Sequence, residues 1–249
     1  CILSVMVLKK RVDSMKTEEK SAIFSGAALK EILTVAIPSI LQQSFISIGN
    51  LFVQYVINGF GSSVIAGYSA AIKLNTFAIT SFTTLGNGIS SFTAQNLGAG
   101  KLDRVKTAFR AAMIFALAVA AVFVFCYTAL GKFFLGLFMN SEATELAVKT
   151  GLDFMFIVCP FYFVVCVKLI CDGILRGSES MGYFMASTFT DLILRVIFAF
   201  VLSSFWGVTG VWIGWPISWF CGTVLSFLFY KTGAWQKKYN ARMAETERN

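Results

Sequence analysis

Six stretches of this chain stay apolar for longer than a globular core requires, at roughly residues 32–57, 64–95, 108–137, 146–171, 182–205 and 208–230. A helix that crosses a bilayer takes about 20 mostly apolar residues, so each stretch is long enough to span. The 249 residues are 57% hydrophobic and 14% charged, whereas soluble domains carry about a quarter charged residues. The reading is an all-α integral membrane protein: six transmembrane helices over residues 32–230, with membrane lipid as the main solvent.

The flanks differ in kind. Residues 1–8 form an apolar scrap closed by Lys9, Lys10 and Arg11, which reads as the end of a truncated preceding helix. A cleavable signal peptide would carry its basic residues before the apolar run. Residues 9–31 read as a charged linker and 231–249 as a polar tail. If the spans alternate, Lys9, Lys10, Arg11, Lys16, Lys20, Lys30, Lys101, Arg104, Lys106, Arg110, Arg176 and the tail's Lys231, Lys237, Lys238, Arg242 and Arg248 share one side, against Lys132 and Lys149 on the other. That bias places linker, 96–107 loop, 172–181 loop and C-terminus in the cytoplasm of a multi-pass plasma-membrane protein. It also accounts for the net charge of +8 with no nucleic acid as partner.

Chemistry at a metal or nucleophile finds little support. There is no histidine, no CxxC and no GxSxG, so neither a zinc site nor an enzyme is expected. Cys126, Cys159, Cys166, Cys171 and Cys221 fall in apolar runs and read as reduced packing residues. Pro38, Pro160 and Pro216 sit inside or near the starts of spans and are expected to kink them. Gly210 and Gly214 form a small-xxx-small packing motif in the last span.

The polar residues within the spans are patterned. Ser39, Gln43, Ser47, Asn50, Gln54 and Asn58 recur at steps of three and four, which puts them on one helical face. The second span repeats this with Ser69, Lys73, Thr76, Thr80, Thr83 or Thr84, Asn87 and Ser91, and the two spans read as a helical hairpin. Helix packing explains the Ser and Thr positions best. The large amides Gln43, Asn50, Gln54 and Asn58 are harder to satisfy in a tight interface and point to a water-accessible cavity lined also by Lys73, Thr76 and Asn87. Charges at membrane depth cost on the order of 2.5–3.5 kcal/mol, so Lys73, Asp191 and Arg195 need partners or water. Asp191 and Arg195 are four residues apart, so an intrahelical ion pair and a role in ion coupling both stay open. Asp153, nearer the outer end of its span, is a further candidate for ion coupling. Lys168 and Asp172 are expected to snorkel at a cytoplasmic end.

Several segments resemble the multidrug and toxic compound extrusion (MATE) family. Ile37-Pro38-Ser39-Ile40-Leu41-Gln42-Gln43-Ser44, Ser47-Ile48-Gly49, Val56-Ile57-Asn58-Gly59-Phe60-Gly61 and Ile65-Ala66-Gly67-Tyr68 are similar to its seventh and eighth helices, and 94–101 to the turn that follows. Leu175-Arg176-Gly177-Ser178 resembles the turn after the tenth helix, and Gly207-Val208-Thr209-Gly210-Val211-Trp212 the entry to the twelfth. The resemblance covers residues from about 28 to 230. It implies one lobe of a two-lobe, twelve-helix transporter, whose partner is the missing N-terminal six-helix lobe of the same protein. It further implies cation-coupled antiport: no cofactor beyond Na+ or H+ as coupling ion, and organic cations, drugs or other amphipathic compounds as small-molecule substrate. Some members carry an acidic residue in the seventh helix. Here the first span has only Gln42, Gln43, Asn50, Gln54 and Asn58 as large polar groups, which leaves the coupling carboxylate open between the missing lobe and the candidates Asp153 and Asp191. The alternative is a lipid-linked oligosaccharide flippase of the same broad superfamily, ranked lower because only Lys73 and Arg195 are counted as basic in the cavity. Six helices acting as a homodimer are a third possibility.

Overall fold

Helices dominate the computed structural model, which describes residues 25–139, 143–237 and 239–241. Residues 1–8 and Lys9, Lys10, Arg11, Lys16, Lys20, Lys238, Arg242 and Arg248 lie outside the described residues. The order is α1 (Gly26–Asn58), α2 (Ser62–Gly98), α3 (Leu102–Ala129), α4 (Gly131–Gly136), α5 (Glu145–Val158), a single 3-10 turn (Cys159–Phe161), α6 (Tyr162–Gly177), α7 (Met181–Lys231) and a final 3-10 turn (Ala234–Gln236). Among the described residues, those from Ile37 onward form one compact unit, and the packing of the bundle is that of this unit.

Among the described residues, four segments are long and apolar enough to cross a membrane: Ile32–Asn58, Leu102–Ala129, Glu145–Gly177 and Met181–Lys231. Of the six expected runs one, 64–95, is absent from that set and two are merged in one helix, for identifiable reasons. The polar face of α2 lowers its apolarity although the helix is 37 residues long. The expected spans 182–205 and 208–230 both lie in α7, whose 51 residues are interrupted by non-helical backbone at Trp206 and Gly207, the glycine at φ 57 and ψ −141. That region is open essentially to glycine alone. The two arms of α7 then fold back on one another. A Cβ on Gly210 would stand 2.1 Å from the Leu202 carbonyl oxygen, and one on Gly214 would stand 3.2 Å from Phe198 Cβ, so the small-xxx-small motif is the contact surface of this hairpin. Gly210→Val is expected to cost about 1–3 kcal/mol by overpacking, read as a lowered apparent unfolding midpoint in detergent; an unchanged midpoint would mean the arms are not in contact there.

Other boundaries also differ from expectation. The stretch 108–137 breaks at Leu130 (φ −118, ψ 21), which caps α3 through its N–H to Cys126 O. Residues 26–31, expected in the linker, already belong to α1. The stretch 146–171 runs on to Gly177, because Pro160 sits at the start of a 3-10 turn, where its missing N–H costs little, and α6 follows directly.

Backbone approach through small residues holds the centre. α2 runs alongside α5 and α6, with Gly67 against the Ala147 carbonyl, Gly86 against that of Leu169, and Gly177 against that of Ser90. Tyr127 of α3 donates to Leu74 O at 3.0 Å. The residues α1 presents to the bundle, Gln42, Phe45 and Gly49, meet α7 at Thr188, Phe189 and Leu192. The expected hairpin of the first two spans is thus open: α1 and α2 turn at Gly59–Gly61 but face each other across a cavity, because two polar faces have nothing to bury against one another. Thr144 Oγ1 donates to Ser63 Oγ at 3.1 Å, and Phe60 lies beside Gly207, so the 59–61 turn, the start of α5 and the 206–207 turn share one end. Tyr239 donates to Gly100 O at 3.1 Å, which puts the 98–101 turn and the C-terminal segment together at the other. Outward faces are apolar, with Leu51, Tyr55, Phe77, Ile114, Phe125, Phe205 and many others exposed. The inverse of a soluble protein's surface suits hydrocarbon as solvent.

Candidate functional site

The residues that face inward enclose a cavity of about 630 Å3 between α1, α2, α6 and both arms of α7. Among the expected site residues, Gln43, Asn50, Gln54, Thr76, Asn87, Asp191 and Arg195 line it. Asn58 does not: at the end of α1 it accepts from Gln54 Nε2 at 2.8 Å, and so orients the amide that does. Lys73 is exposed outside the cavity, its ammonium 5.7 Å over the Phe138 ring. Asp153 is exposed on α5, away from the lining.

Thr76, Thr80, Thr83 and Thr84 of α2 stand on the cavity wall, where helix packing was the expected role for hydroxyl residues. The Thr76, Thr83 and Thr84 hydroxyls donate to carbonyls four residues earlier at 2.7, 2.8 and 2.8 Å. Their hydrogens are spent within the helix, and methyl groups with oxygen lone pairs face the space. Asn75, which sequence reasoning missed, accepts from Tyr162 Oη at 3.1 Å and is 4% exposed. Asn87 accepts from Arg176 Nη2.

The wall opposite α1 is charged. Lys168 and Asp172 do not snorkel to an interface. Because α6 runs on to Gly177, they sit inside the helix and face the interior, 2.6 Å apart with side chains 4% and 5% exposed. Asp172 Oδ1 accepts in addition from Ser187 at 3.1 Å and Ser226 at 2.6 Å, so α6 and both arms of α7 converge on one carboxylate. Asp191 and Arg195 form the second pair, Arg195 Nη2 lying 3.2 Å from each carboxylate oxygen. The Arg195 guanidinium lies 4.6 Å from the centre of the Trp215 ring. A Cβ on Gly222 would stand 2.8 Å from Lys168 Cε and 3.0 Å from Asp191 Cβ. Both ion pairs therefore lie against Gly222, where any side chain would crowd Lys168 and Asp191. The signal in sequence was the spacing: Lys168, Asp172 and Arg176 at successive steps of four, alternating in sign, form a helical stripe as regular as that of Asp191 and Arg195.

An apolar exterior around a bundle that is all-helical among the described residues, with a charged interior cavity, is the construction of a polytopic membrane protein. The family model MatE matches residues 38–201, and this chain belongs to that family, whose members are integral membrane transporters. It is 26% identical over 206 residues to the probable multidrug resistance protein YpnP of Bacillus subtilis, covering 82% of this chain and 46% of that protein. To the probable multidrug resistance protein NorM of Thermotoga maritima it is 24% identical, covering 84% and 45%. The chain thus spans about half the length of the curated relatives it matches. Among solved structures, a MOP superfamily transporter from Pyrococcus furiosus, described as having a binding pocket of reverse polarity, superposes with a TM-score of 0.79 at 21% identity, covering 86% of this chain and 49% of that one. A MATE crystal structure in the bent conformation gives 0.78 at 20% identity, covering 89% and 49%. These likenesses establish the fold.

Proposed function

We propose that this chain is one six-helix lobe of a two-lobe, twelve-helix secondary active efflux transporter, which exports amphipathic compounds, organic cations and drugs among them, by alternating access coupled to inward Na+ or H+. The cavity of about 630 Å3, with two ion pairs buried in its wall, carries the reading. Counting the arms of α7 separately and including α2 restores six crossings, and the half-length match to relatives supports a second lobe as partner. Lys101, Arg104, Lys106, Lys231 and Lys237 at one end, against Lys132 and Lys149 at the other, favour a cytoplasmic C-terminus. Nothing in the cavity pairs a nucleophile with a base, which favours transport over catalysis. Of the acidic candidates, Asp191 is the one open to coupling, since Asp172 is saturated by Lys168 and two serines and Asp153 stands outside. Solute and ion would each favour one state of the lobe pair, which is coupling by differential affinity.

A specific observation keeps the flippase as second reading. Three basic side chains, Lys168, Arg176 and Arg195, line the cavity, more than the sequence suggested. The two readings part in one experiment. Cells carrying the full coding frame around this chain are loaded with ethidium, and efflux is followed under imposed Na+ or proton gradients. Gradient-driven efflux above the empty-vector rate supports the antiporter. No efflux, with translocation of a lipid-linked saccharide in proteoliposomes, would replace it by the flippase.

A further inference from the structure

The cavity is richer in unused donors than in unused acceptors where its charge is concentrated. Two buried donors there have no hydrogen-bond partner: Arg195 Nε, on a residue 9% exposed, and Trp215 Nε1, on a residue 5% exposed. Both residues line the cavity and both are in contact, guanidinium over indole. Neither group can accept, so neither can be satisfied by a cation. A buried donor left unmet costs about 1–3 kcal/mol, a cost a ligand acceptor would remove. The amides repeat the pattern: Asn75 and Asn87 already give their oxygens to Tyr162 and Arg176, leaving amino groups. The formal charge of the lining points the same way, since Lys168, Arg176 and Arg195 outnumber Asp172 and Asp191.

We propose that the cavity narrows the proposed substrate range: the preferred polar end is an oxyanion, a carboxylate or phosphate on an apolar body, and not an organic cation, received beside the stacked Arg195 and Trp215. The inference rests on reading the cavity as the substrate chamber. A charge-assisted bond to a guanidinium is about twice as strong as a neutral one, and a second donor from the indole fixes the oxyanion against the ring edge. Across the cavity, Gln42 and Gln54 each give one amino hydrogen to Thr188 and Asn58. The α1 wall holds neutral amides and apolar surface and no charge, so the site is polarised from a neutral wall to a cationic one.

The test uses the protein encoded by the full coding frame around this chain, in nanodiscs of neutral phosphatidylcholine, with energy transfer from its tryptophans to a dansyl probe. The probes are 11-(dansylamino)undecanoic acid and a twin of equal length ending in trimethylammonium. The acid is expected to bind at least about tenfold tighter than its twin, a difference of roughly 1.4 kcal/mol. That preference is expected to fall to about twofold or less in the neutral pair Asp191→Asn/Arg195→Gln, which removes the guanidinium without stranding a carboxylate. Trp215→Phe, which keeps the ring but not the N–H, is expected to weaken the acid about three- to tenfold and leave the twin unchanged. Competition by dodecyl phosphate and by lysophosphatidate separates a free amphiphile from a lipid headgroup as the source of the oxyanion. Equal or tighter binding of the ammonium twin overturns the inference and leaves the transporter reading standing. Binding of neither probe overturns both.

Discussion

Lys168→Met is expected to destabilise the protein by about 3–5 kcal/mol, because it strands the Asp172 carboxylate in the cavity wall without its partner. The paired side chains are 4% and 5% exposed, so solvent screens the loss little. In detergent the apparent unfolding midpoint should fall by on the order of 10 °C. Lys168→Met/Asp172→Asn is expected to recover more than half of the loss: the charge is gone, and the asparagine oxygen still accepts from Ser187 and Ser226, which bond Asp172 Oδ1. That recovery separates a stranded charge from a packing defect, since the methionine is present in both variants. A Lys168→Met protein as stable as its parent would show that Asp172 finds water or a proton at no cost, and the pair would then be an ornament of the wall rather than a tie between α6 and α7.

How much of this was legible beforehand depends on which physical signal was at stake. The stripe of Gln43, Asn50 and Gln54 on α1 followed from helical periodicity alone and does face the cavity. Lys73 did not follow: at about 100° per residue it lies roughly 60° round α2 from the middle of the face that holds Thr76, Thr83 and Asn87, between Thr80 and Thr84, which do line the cavity, yet its ammonium reaches the Phe138 ring. Periodicity gives a side chain's direction round its helix and not which neighbouring element meets it at that level. Lys168 and Asp172 were misplaced because the apolar run was taken to stop near residue 171, where charge begins. In the structure, charge is what the helix turns inward, and its apolar residues Leu169, Ile170, Ile174 and Leu175 carry it on to Gly177. Hydropathy reports the average environment of a segment, so a helix with one charged face in a cavity scores as an ending. The same averaging hides α2 among the described spans. The reversal at Trp206 and Gly207 lay between two apolar runs and was expected there; that Gly210 and Gly214 meet residues 198–202 of the preceding arm depends on tertiary approach, which periodicity does not encode.

Exchanging the second pair, as Asp191→Arg/Arg195→Asp, distinguishes a local helical ion pair from part of a network. On an isolated helix the exchange preserves one i,i+4 pair and changes stability by at most about 0.5 kcal/mol. Here the two positions are unequal. Position 191 stands beside Lys168 across Gly222, so an arginine there sets two cations side by side in a buried wall. Position 195 stands over the Trp215 ring, so an aspartate there trades an attractive cation–ring contact for a repulsive one. The expected result is a loss of about 2–4 kcal/mol, from buried like charges and the lost ring contact together, and loss of dye export in the protein carrying this chain. The neutral pair Asp191→Asn/Arg195→Gln is expected to fold near parental stability, so the damage from the exchange belongs to where the charges sit and not to their removal. An exchanged protein that folds and exports normally would reduce Asp191 and Arg195 to an intrahelical pair. The exchange fails, on this account, because the carboxylate must lie on the Lys168 side and the guanidinium on the Trp215 side for Arg195 to keep both Asp191 and the Trp215 ring as partners in the cavity wall.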